Sequence, residues 1–323
     1  MILTRTPMRI SLFGGGTDLK AFWQEEEGCV LNCTINKYIY VIVKKSFDQL
    51  IHVNYFEQEE AETVDNIRHD LVRETMLRTG IRGGVEVVIL SDIPHTGSGL
   101  GSSSSLTVGL LNAFYAYSGK KVSAETLSQQ ACEIEIDVLG KPIGKQDQYI
   151  AAYGGLNKIL FRPDGSVKVE KVMQGADIVP DLQKYLLLFY TGIGHSSEKI
   201  LREQSGLITQ TRPVLRKIKE QVDEAIKIMS AGKMEGLGPL MQEGWELKSR
   251  LASQISGNGV GSLVERALKA GATGAKITGA GGGGFLMVFC KPELHNSVRS
   301  ELNSLKELDF ELEQDGAKIL LEN

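Results

Sequence analysis

Pro94-His95-Thr96-Gly97-Ser98-Gly99-Leu100-Gly101-Ser102-Ser103-Ser104-Ser105 decides how this chain is read. Before it, Val85, Val87 and Ile89 alternate with Glu86, Val88 and Leu90, the period of a strand. After it, Leu106, Leu110, Ala113 or Phe114, and Tyr117 recur at helical spacing. The stretch therefore predicts strand, glycine-rich loop, helix. Gly97, Gly99 and Gly101 let the backbone take positive φ and let a ligand approach closely. Four serines then open the helix as good N-cap residues, with hydroxyls beside free backbone N–H groups. Those N–H groups and the helix dipole favour an anion, expected here to be the polyphosphate of a nucleotide. A flexible Gly/Ser linker is the alternative, but linkers are not normally clamped between a buried strand and an apolar helix. The loop is neither a Walker A loop nor a Rossmann GxGxxG, and protein-kinase signatures such as HRD and DFG are absent.

The rest of the composition narrows the class. A chain of 323 residues can bury a large core, and its length suggests two domains. A net charge of −4 argues against a nucleic-acid footprint. No apolar run approaches membrane-spanning length and the N-terminus lacks a signal-peptide pattern, so a cytoplasmic protein without a membrane partner is expected. Cys29, Cys33, Cys132 and Cys290 make no disulfide framework and no metal-ligand pairs, and are expected as reduced, mostly buried thiols. The 36 glycines cluster in three places, which is where chemistry is expected.

The first cluster follows a strand in which Met8, Ile10 and Leu12 face one way and Arg9 and Ser11 the other. Gly14-Gly15-Gly16-Thr17-Asp18 then implies a tight turn or a close backbone approach. Asp18 is placed either to accept from substrate hydroxyls or to serve as an Asx-turn or N-cap for the segment Leu19 to Glu27. Strands are expected over Val30 to Ile35, Tyr38 to Lys44 and Leu50 to Tyr55, and a helix over Asp65 to Arg78. Beyond the central loop, Gly119 ends the helix and Ser123 caps the next one. There Leu127, Ala131, Ile134 and Val138 form an apolar stripe with Glu135 on its edge and Glu133 well away from it. A carboxylate at a buried edge needs a partner, either a metal ion or a neighbouring lysine or arginine. Asp147 begins a short apolar helix, where the dipole favours its charge, and reads as a cap or as a catalyst.

Near residues 165 to 185 the character changes, with Ile178-Val179-Pro180 as a crossing segment, and the boundary falls there. Tyr185 to Tyr190 reads as a buried strand. Helices are expected over His195 to Gly206, Pro213 to Met229, Leu237 to Ile255 and Gly259 to Ala270. Arg212, Arg216, Lys217 and Lys219 are expected on a solvated face. The third cluster, Gly274 to Gly284, precedes a strand from Phe285 to Cys290. It is expected to form a backbone wall close to a ligand or to the first glycine loop.

Three motifs in this order, PMRISLFGGGTDL, PHTGSGLGSSSS and KITGAGGGGF, resemble the galactokinase–homoserine kinase–mevalonate kinase–phosphomevalonate kinase (GHMP) superfamily. The resemblance spans essentially the whole chain. It implies an α+β fold: a ribosomal protein S5 domain 2-like N-terminal domain over 1–178 and a ferredoxin-like C-terminal domain over 179–323, with the site between them. It implies ATP and Mg²⁺. Gly97, Ser98, Gly99, Leu100, Gly101, Ser102, Ser103 and Ser104 would hold the phosphates, with Ser103 and Glu135 as the protein's metal ligands. Asp147 would be the general base or orienter, and Arg9 would neutralise the transferring phosphoryl group. Gly15, Gly16, Thr17, Asp18, Asp147, Gly281 and Gly282 would meet the acceptor.

The Gly-Gly-Gly-Thr-Asp form resembles sugar kinases, although galactokinases carry Glu and His where this chain has Gly15 and Gly16. It looks like D-glycero-D-manno-heptose 7-phosphate kinases and the kinase part of fucokinases. The segment Tyr190 to His195 also looks like theirs, with an arginine expected where His195 stands. The absence of a pyrophosphorylase-like domain favours the heptose kinases, so the expected reaction phosphorylates the anomeric hydroxyl of the heptose 7-phosphate. The alternatives are a kinase for another sugar such as fucose or galactose, one for an isoprenoid acid, or a non-catalytic sugar and ATP sensor. A greasier site than Gly14 to Asp18 would suit the isoprenoid. A homodimer is left open.

Overall fold

The computed structural model describes residues 1–93, 97–172, 178–194, 196–257 and 259–323. Pro94, His95, Thr96 and His195 of the sequence reading lie outside the described residues. The chain opens on β1 (Ile2–Phe13), which pairs antiparallel with β2 (Gly28–Lys45) along most of its length. The two runs expected as separate strands are one strand. Asn36 and Lys37 are taken up by a register shift opposite Pro7 and Met8, a bulge rather than a turn. β2 then serves two neighbours. Its first half pairs with β6 (Leu156–Phe161) and its second with β5 (Val85–Ser91). β3 (Ile51–Asn54) pairs parallel with β5 and antiparallel with β4 (Gln58–Ala61), and β7 (Val167–Lys171) pairs with β6.

Helices pack on this sheet. Between β1 and β2 lies α1 (Lys20–Trp23), a single turn within the segment Leu19 to Glu27. Glu25, Glu26 and Glu27 would stack carboxylates at a helix C-terminus, which the dipole opposes. α2 is Asp70–Thr79, with a separate single turn at Val64–Asn66 in place of one helix from residue 65. α3 (Ser102–Tyr117) follows the glycine loop, and its Gly109 carbonyl accepts from the Thr4 hydroxyl of β1 at 3.2 Å. α4 (Ala124–Cys132), capped by Ser123, runs into a π-helical turn at Glu133–Val138. α5 (Gln146–Tyr153) precedes β6.

The second sheet has the order β11-β8-β10-β9, built from β8 (Leu186–Tyr190), β9 (Gly274–Ile277), β10 (Phe285–Phe289) and β11 (Lys306–Leu308). Strand order 4-1-3-2, with helices after the first and third strands, is the ferredoxin-like βαββαβ arrangement. Its helices are α7 (Ser197–Gly206), α8 (Ile208–Ser230), α9 (Leu237–Lys248), α10 (Val260–Lys269) and α11 (His295–Glu301). Ile178-Val179-Pro180 is not a crossing segment but the first turn of α6 (Ile178–Gln183), where a proline lacks no needed N–H. α9 stops at Lys248, short of the expected Ile255.

The α+β expectation is met. β12 (Leu312–Glu313) pairs with β2 and β13 (Lys318–Glu322) with β1, so the end of the chain returns to the first sheet. Of the basic residues expected on a solvated face of α8, Arg216 and Lys217 are exposed, whereas Arg212 is largely buried. Arg212 pairs with Glu25 at 3.0 Å and donates to the Ala21 and Phe22 carbonyls, and Arg216 pairs with Glu26 at 2.9 Å. Both tie α1 and the turn after it to α8, Arg212 from a largely buried position and Arg216 from an exposed one. All four cysteines are free and buried. Among the described residues no helix is long and apolar enough to cross a membrane.

Phe22 of α1 is fully buried in the apolar cluster of the second sheet, beside Leu215 and Ile200, with the Arg212 guanidinium over its ring. Phe22→Ala is expected to cost about 3–5 kcal/mol, read as a lower denaturant midpoint. An unchanged midpoint would show that α1 does not lock the two sheets together.

Candidate active site

The loop from Gly97 to Gly101 lies between β5 and α3. Gly97, Gly99 and Gly101 sit at φ of 72°, 70° and 75°, a region open to glycine at little cost. Gly101 takes the N-cap place, so Ser102 to Ser105 are the first helical residues and none of them caps the helix. The N–H groups of that first turn open toward a cavity of about 260 Å³ lined by Gly97, Ser98, Gly99, Gly101 and Ser102 to Ser104. Leu100 differs from the rest. Its side chain is fully buried in the core, and its carbonyl accepts from the Arg9 N–H at 3.0 Å.

The third glycine cluster backs this loop. A Cβ at Gly279 would stand 2.7 Å from the Gly99 Cα, and one at Gly284 would stand 2.5 Å from the Gly97 carbonyl oxygen. Only bare backbone fits there. Gly281 and Gly282, expected at the acceptor, do not line the cavity. A Cβ at Gly281 would meet Ile255 at 2.8 Å, and the Gly282 N–H donates to the Ile255 carbonyl at 2.9 Å. Gly279 and Ala280 take the cavity-facing places instead.

Arg9 of β1 is almost wholly buried. Its Nε and one Nη donate to the two carboxylate oxygens of Asp147 at 2.7 and 2.6 Å, and its other Nη donates to the Gly99 carbonyl at 2.6 Å. Asp147, in the first turn of α5, thus meets the glycine loop through a shared guanidinium.

Asp18 lines the same cavity beside Gly15 and Gly16. Its carboxylate accepts from the Gly16 N–H at 3.0 Å and from Gln146 Nε2 at 2.9 Å. It does not cap α1, whose N-cap is Leu19 without a side-chain bond. Burial pushes the Asp18 pKa up, and the charge of Asp147 adds to the shift. Thr17 is turned away. Its hydroxyl donates to the Gly14 and Cys29 carbonyls and accepts from the Cys29 N–H, which pins the turn to β2.

Glu135 is fully buried, and its Oε2 accepts from the hydroxyls of Ser103 and Ser104, each at 3.3 Å. Among the described residues no lysine or arginine makes an ion pair with it, whereas Glu133 pairs outward with Arg78 at 2.5 Å. Burial pushes the Glu135 pKa up, partly offset by Lys141. One carboxylate and a serine hydroxyl facing a phosphate-sized cavity fit a divalent cation whose remaining ligands are phosphate oxygens and water. Val138, expected on the apolar stripe, is 54% exposed, because the π turn shifts the register after Cys132.

Several site residues escaped the sequence reading. Lys248, at the end of α9, lines the cavity and donates to the Gly279 carbonyl. Burial, with Arg9 nearby, pushes its pKa down to about 8. Gln146 ties Asp18 to Ser11 and Asn32, whose side chains both donate to its Oε1 at 3.0 Å. Gln204 of α7 lines the acceptor wall. Gln146 adjoins Asp147 and was within reach of the motif. Lys248 and Gln204 are ordinary helical residues whose role depends on tertiary placement.

Comparison with known proteins agrees with this arrangement. The GHMP kinases N terminal domain matches residues 66–155, and GHMP kinases C terminal matches residues 224–307. The chain is 30% identical to a D-glycero-alpha-D-manno-heptose 7-phosphate kinase of Campylobacter jejuni, over 98% of each chain. It is 29% identical to a mevalonate kinase of Pyrococcus horikoshii, over 76% of this chain and 70% of that one. A crystal structure of a D-glycero-D-manno-heptose 1-phosphate kinase from Bacteroides thetaiotaomicron superposes with a TM-score of 0.83 at 25% identity, covering 99% of each chain. With both halves matched in order and a full-length relative at 30% identity, the chain belongs to the GHMP kinase family and is a phosphotransferase.

Proposed function

We propose that this protein is an ATP- and Mg²⁺-dependent sugar kinase that phosphorylates the anomeric hydroxyl of D-glycero-D-manno-heptose 7-phosphate, giving the 1,7-bisphosphate. The observation that carries this reading is the Arg9–Asp147 pair. It stands between the phosphate loop and the hydroxyl-binding set of Asp18 and Gln146 inside one cavity. The full-length likeness to a heptose 7-phosphate kinase supports the choice of sugar. An adjoining cavity of about 380 Å³ shares Asp18 and Ile143 with the first and is lined by Lys20 and Lys145 among Glu125, Glu133 and Asp137, giving room for the far end of an acceptor longer than a hexose. We further propose two units, 1–178 and 179–323, with the strands from Leu312 onward returned to the first.

The chemistry follows from placement. The γ-phosphoryl group leaves ADP as its P–O bond breaks and forms a new P–O bond to the acceptor hydroxyl, whose proton passes to Asp147. Arg9 holds that carboxylate in a fixed plane and places positive charge beside the transferring group. Lys248 adds a second cation from the opposite wall. A magnesium ion held by Ser103, Glu135 and the phosphates would neutralise charge on the nucleotide. Gly97 to Ser104 cradle the phosphates with backbone N–H groups, and Asp18 orients the sugar through its hydroxyls.

The first test is ATP consumption with Mg²⁺ against heptose 7-phosphate, free heptose, fucose, galactose, mannose and mevalonate. Turnover with the heptose phosphate above all others is expected, and turnover with mevalonate alone would overturn the sugar reading. Asp147→Asn should leave ATP binding within a few-fold and cut turnover by about 10²–10⁴. Retained activity would leave Asp147 as no more than a partner for Arg9.

Lys248 gives a pH-dependent test. Its folded-state pKa near 8 lies below the ordinary 10.5, so the folded chain gives up this proton before the unfolded chain does. The cost of holding the charge is full below pH 8 and disappears as pH rises to 10.5. Lys248→Met should therefore raise the melting temperature of the ligand-free protein at pH 7, with the gain shrinking between pH 8 and 10.5, while lowering kcat. A pH-independent difference would contradict the buried-cation account.

A further inference from the structure

The sugar-kinase reading leaves one polar group of the cavity without a use. Gln204 of α7 is 1% exposed and lines the catalytic cavity, yet among the described residues its Nε2 has no hydrogen-bond partner. Buried amides are nearly always paired in folded proteins, so an unpaired one on a cavity wall points to a partner that arrives with a ligand. Its position is built by the first glycine motif. A Cβ on Gly16 would stand 2.4 Å from Gln204 Nε2 and 3.1 Å from Leu215 Cδ2, at a φ of 100° that side chains rarely adopt. Glycine at 16 thus lets the carboxamide lie against the turn whose Gly16 N–H holds Asp18. The turn and the amide form one surface, contributed by the two ends of the site.

Resting on the sugar-kinase reading, we propose that Gln204 is an acceptor-specificity residue whose carboxamide hydrogen-bonds a hydroxyl of the sugar, next to the hydroxyls met by Asp18. A hydroxyl is favoured over a phosphate for two reasons. The charged groups that the turn and α7 present to the cavity are Asp18 and Glu198, both carboxylates, which would repel a phosphate. A hydroxyl also satisfies a carboxamide in either orientation, because it both donates and accepts, whereas a phosphate satisfies only the N–H end. α7 belongs to the helices of the second sheet. Acceptor recognition therefore draws on both sheets, and an acceptor seated on Asp18 is gripped only when α7 stands against the glycine turn.

The experiment uses the full chain and whichever sugar of the panel the wild type phosphorylates. Gln204→Leu keeps the volume and removes both polar ends. It is expected to raise the acceptor KM about tenfold or more, to leave the ATP KM within twofold, and to keep or raise the melting temperature. A series of monodeoxy acceptors then identifies the hydroxyl. The wild type should lose kcat/KM sharply at one position, and Gln204→Leu should no longer discriminate there. An unchanged acceptor KM, or equal losses with every deoxy acceptor together with a lower melting temperature, would reduce Gln204 to a packing residue and overturn the proposal. If the wild type phosphorylates no sugar at all, it is the sugar-kinase reading that fails, and the hydroxyl assignment falls with it.

Discussion

The site depends on one guanidinium. Arg9 spends two donors on Asp147 and a third on the Gly99 carbonyl, while its own backbone N–H holds the Leu100 carbonyl. One residue of β1 therefore fixes the carboxylate of α5 and grips the glycine loop at two successive carbonyls. Removing either partner would leave a buried charge uncompensated, at about 3–5 kcal/mol. That is a large share of the stability of an ordinary domain. Because Arg9 is held on three sides, its charge is fixed at the cavity wall between Asp147 and the glycine loop, and under the proposed function little reorganisation is left for the reaction.

The cleft is closed from the second sheet by contacts that tolerate almost no side chains. Gly279 lies on Gly99 and Gly284 on Gly97, and the Thr278 hydroxyl donates to the Ser98 carbonyl at 3.3 Å. Nearby, Lys276 of β9 reaches across to the Ser11 and Leu12 carbonyls of β1 at 2.9 Å each, and burial holds its pKa far below the ordinary lysine value. On the far side, Phe22 enters the second sheet's core under Arg212. The two sheets are thus joined on both flanks of the cavity, by a lysine amino group donating to backbone carbonyls and by an aromatic ring in an apolar pocket.

Much of this was legible in the sequence because it is local. A strand, three alternate glycines and an amphipathic helix read directly as β5, the loop and α3. Asp147 was found at a helix start and Glu135 beside an apolar stripe. What was not legible depends on long-range placement. Glycines carry no side chain to say which members of the cluster face the cavity, so the motif points to Gly281 and Gly282 at the acceptor, whereas Gly279 and Ala280 line the cavity. Thr17 shares a motif with Asp18 but points the opposite way, as alternate directions in a tight turn allow. Arg212 read as a solvated cation because its partners, Glu25 and Glu26, lie almost two hundred residues earlier. Lys248 and Gln204 look like any polar residues on amphipathic helices until the fold sets them against the first motif.

The π turn after α4 shows local sequence preference yielding at the site. Leu127, Ala131, Ile134 and Val138 are spaced for one straight α-helix, yet only the first three are buried. The Leu139 N–H donates to the Ile134 carbonyl at 2.9 Å, an i to i+5 bond that admits one extra residue. The extra residue turns Val138 out to solvent, a loss of apolar burial that a regular helix would have avoided. In return Glu135 points inward at Ser103 and Ser104 while Glu133, two residues earlier, points outward to Arg78. A carboxylate buried without a cation partner is itself unfavourable in the free protein. Two unfavourable features at one turn, both aimed at the first turn of α3, have a common physical explanation under the proposed function: the turn would hold a charge for a cation bound with the phosphates.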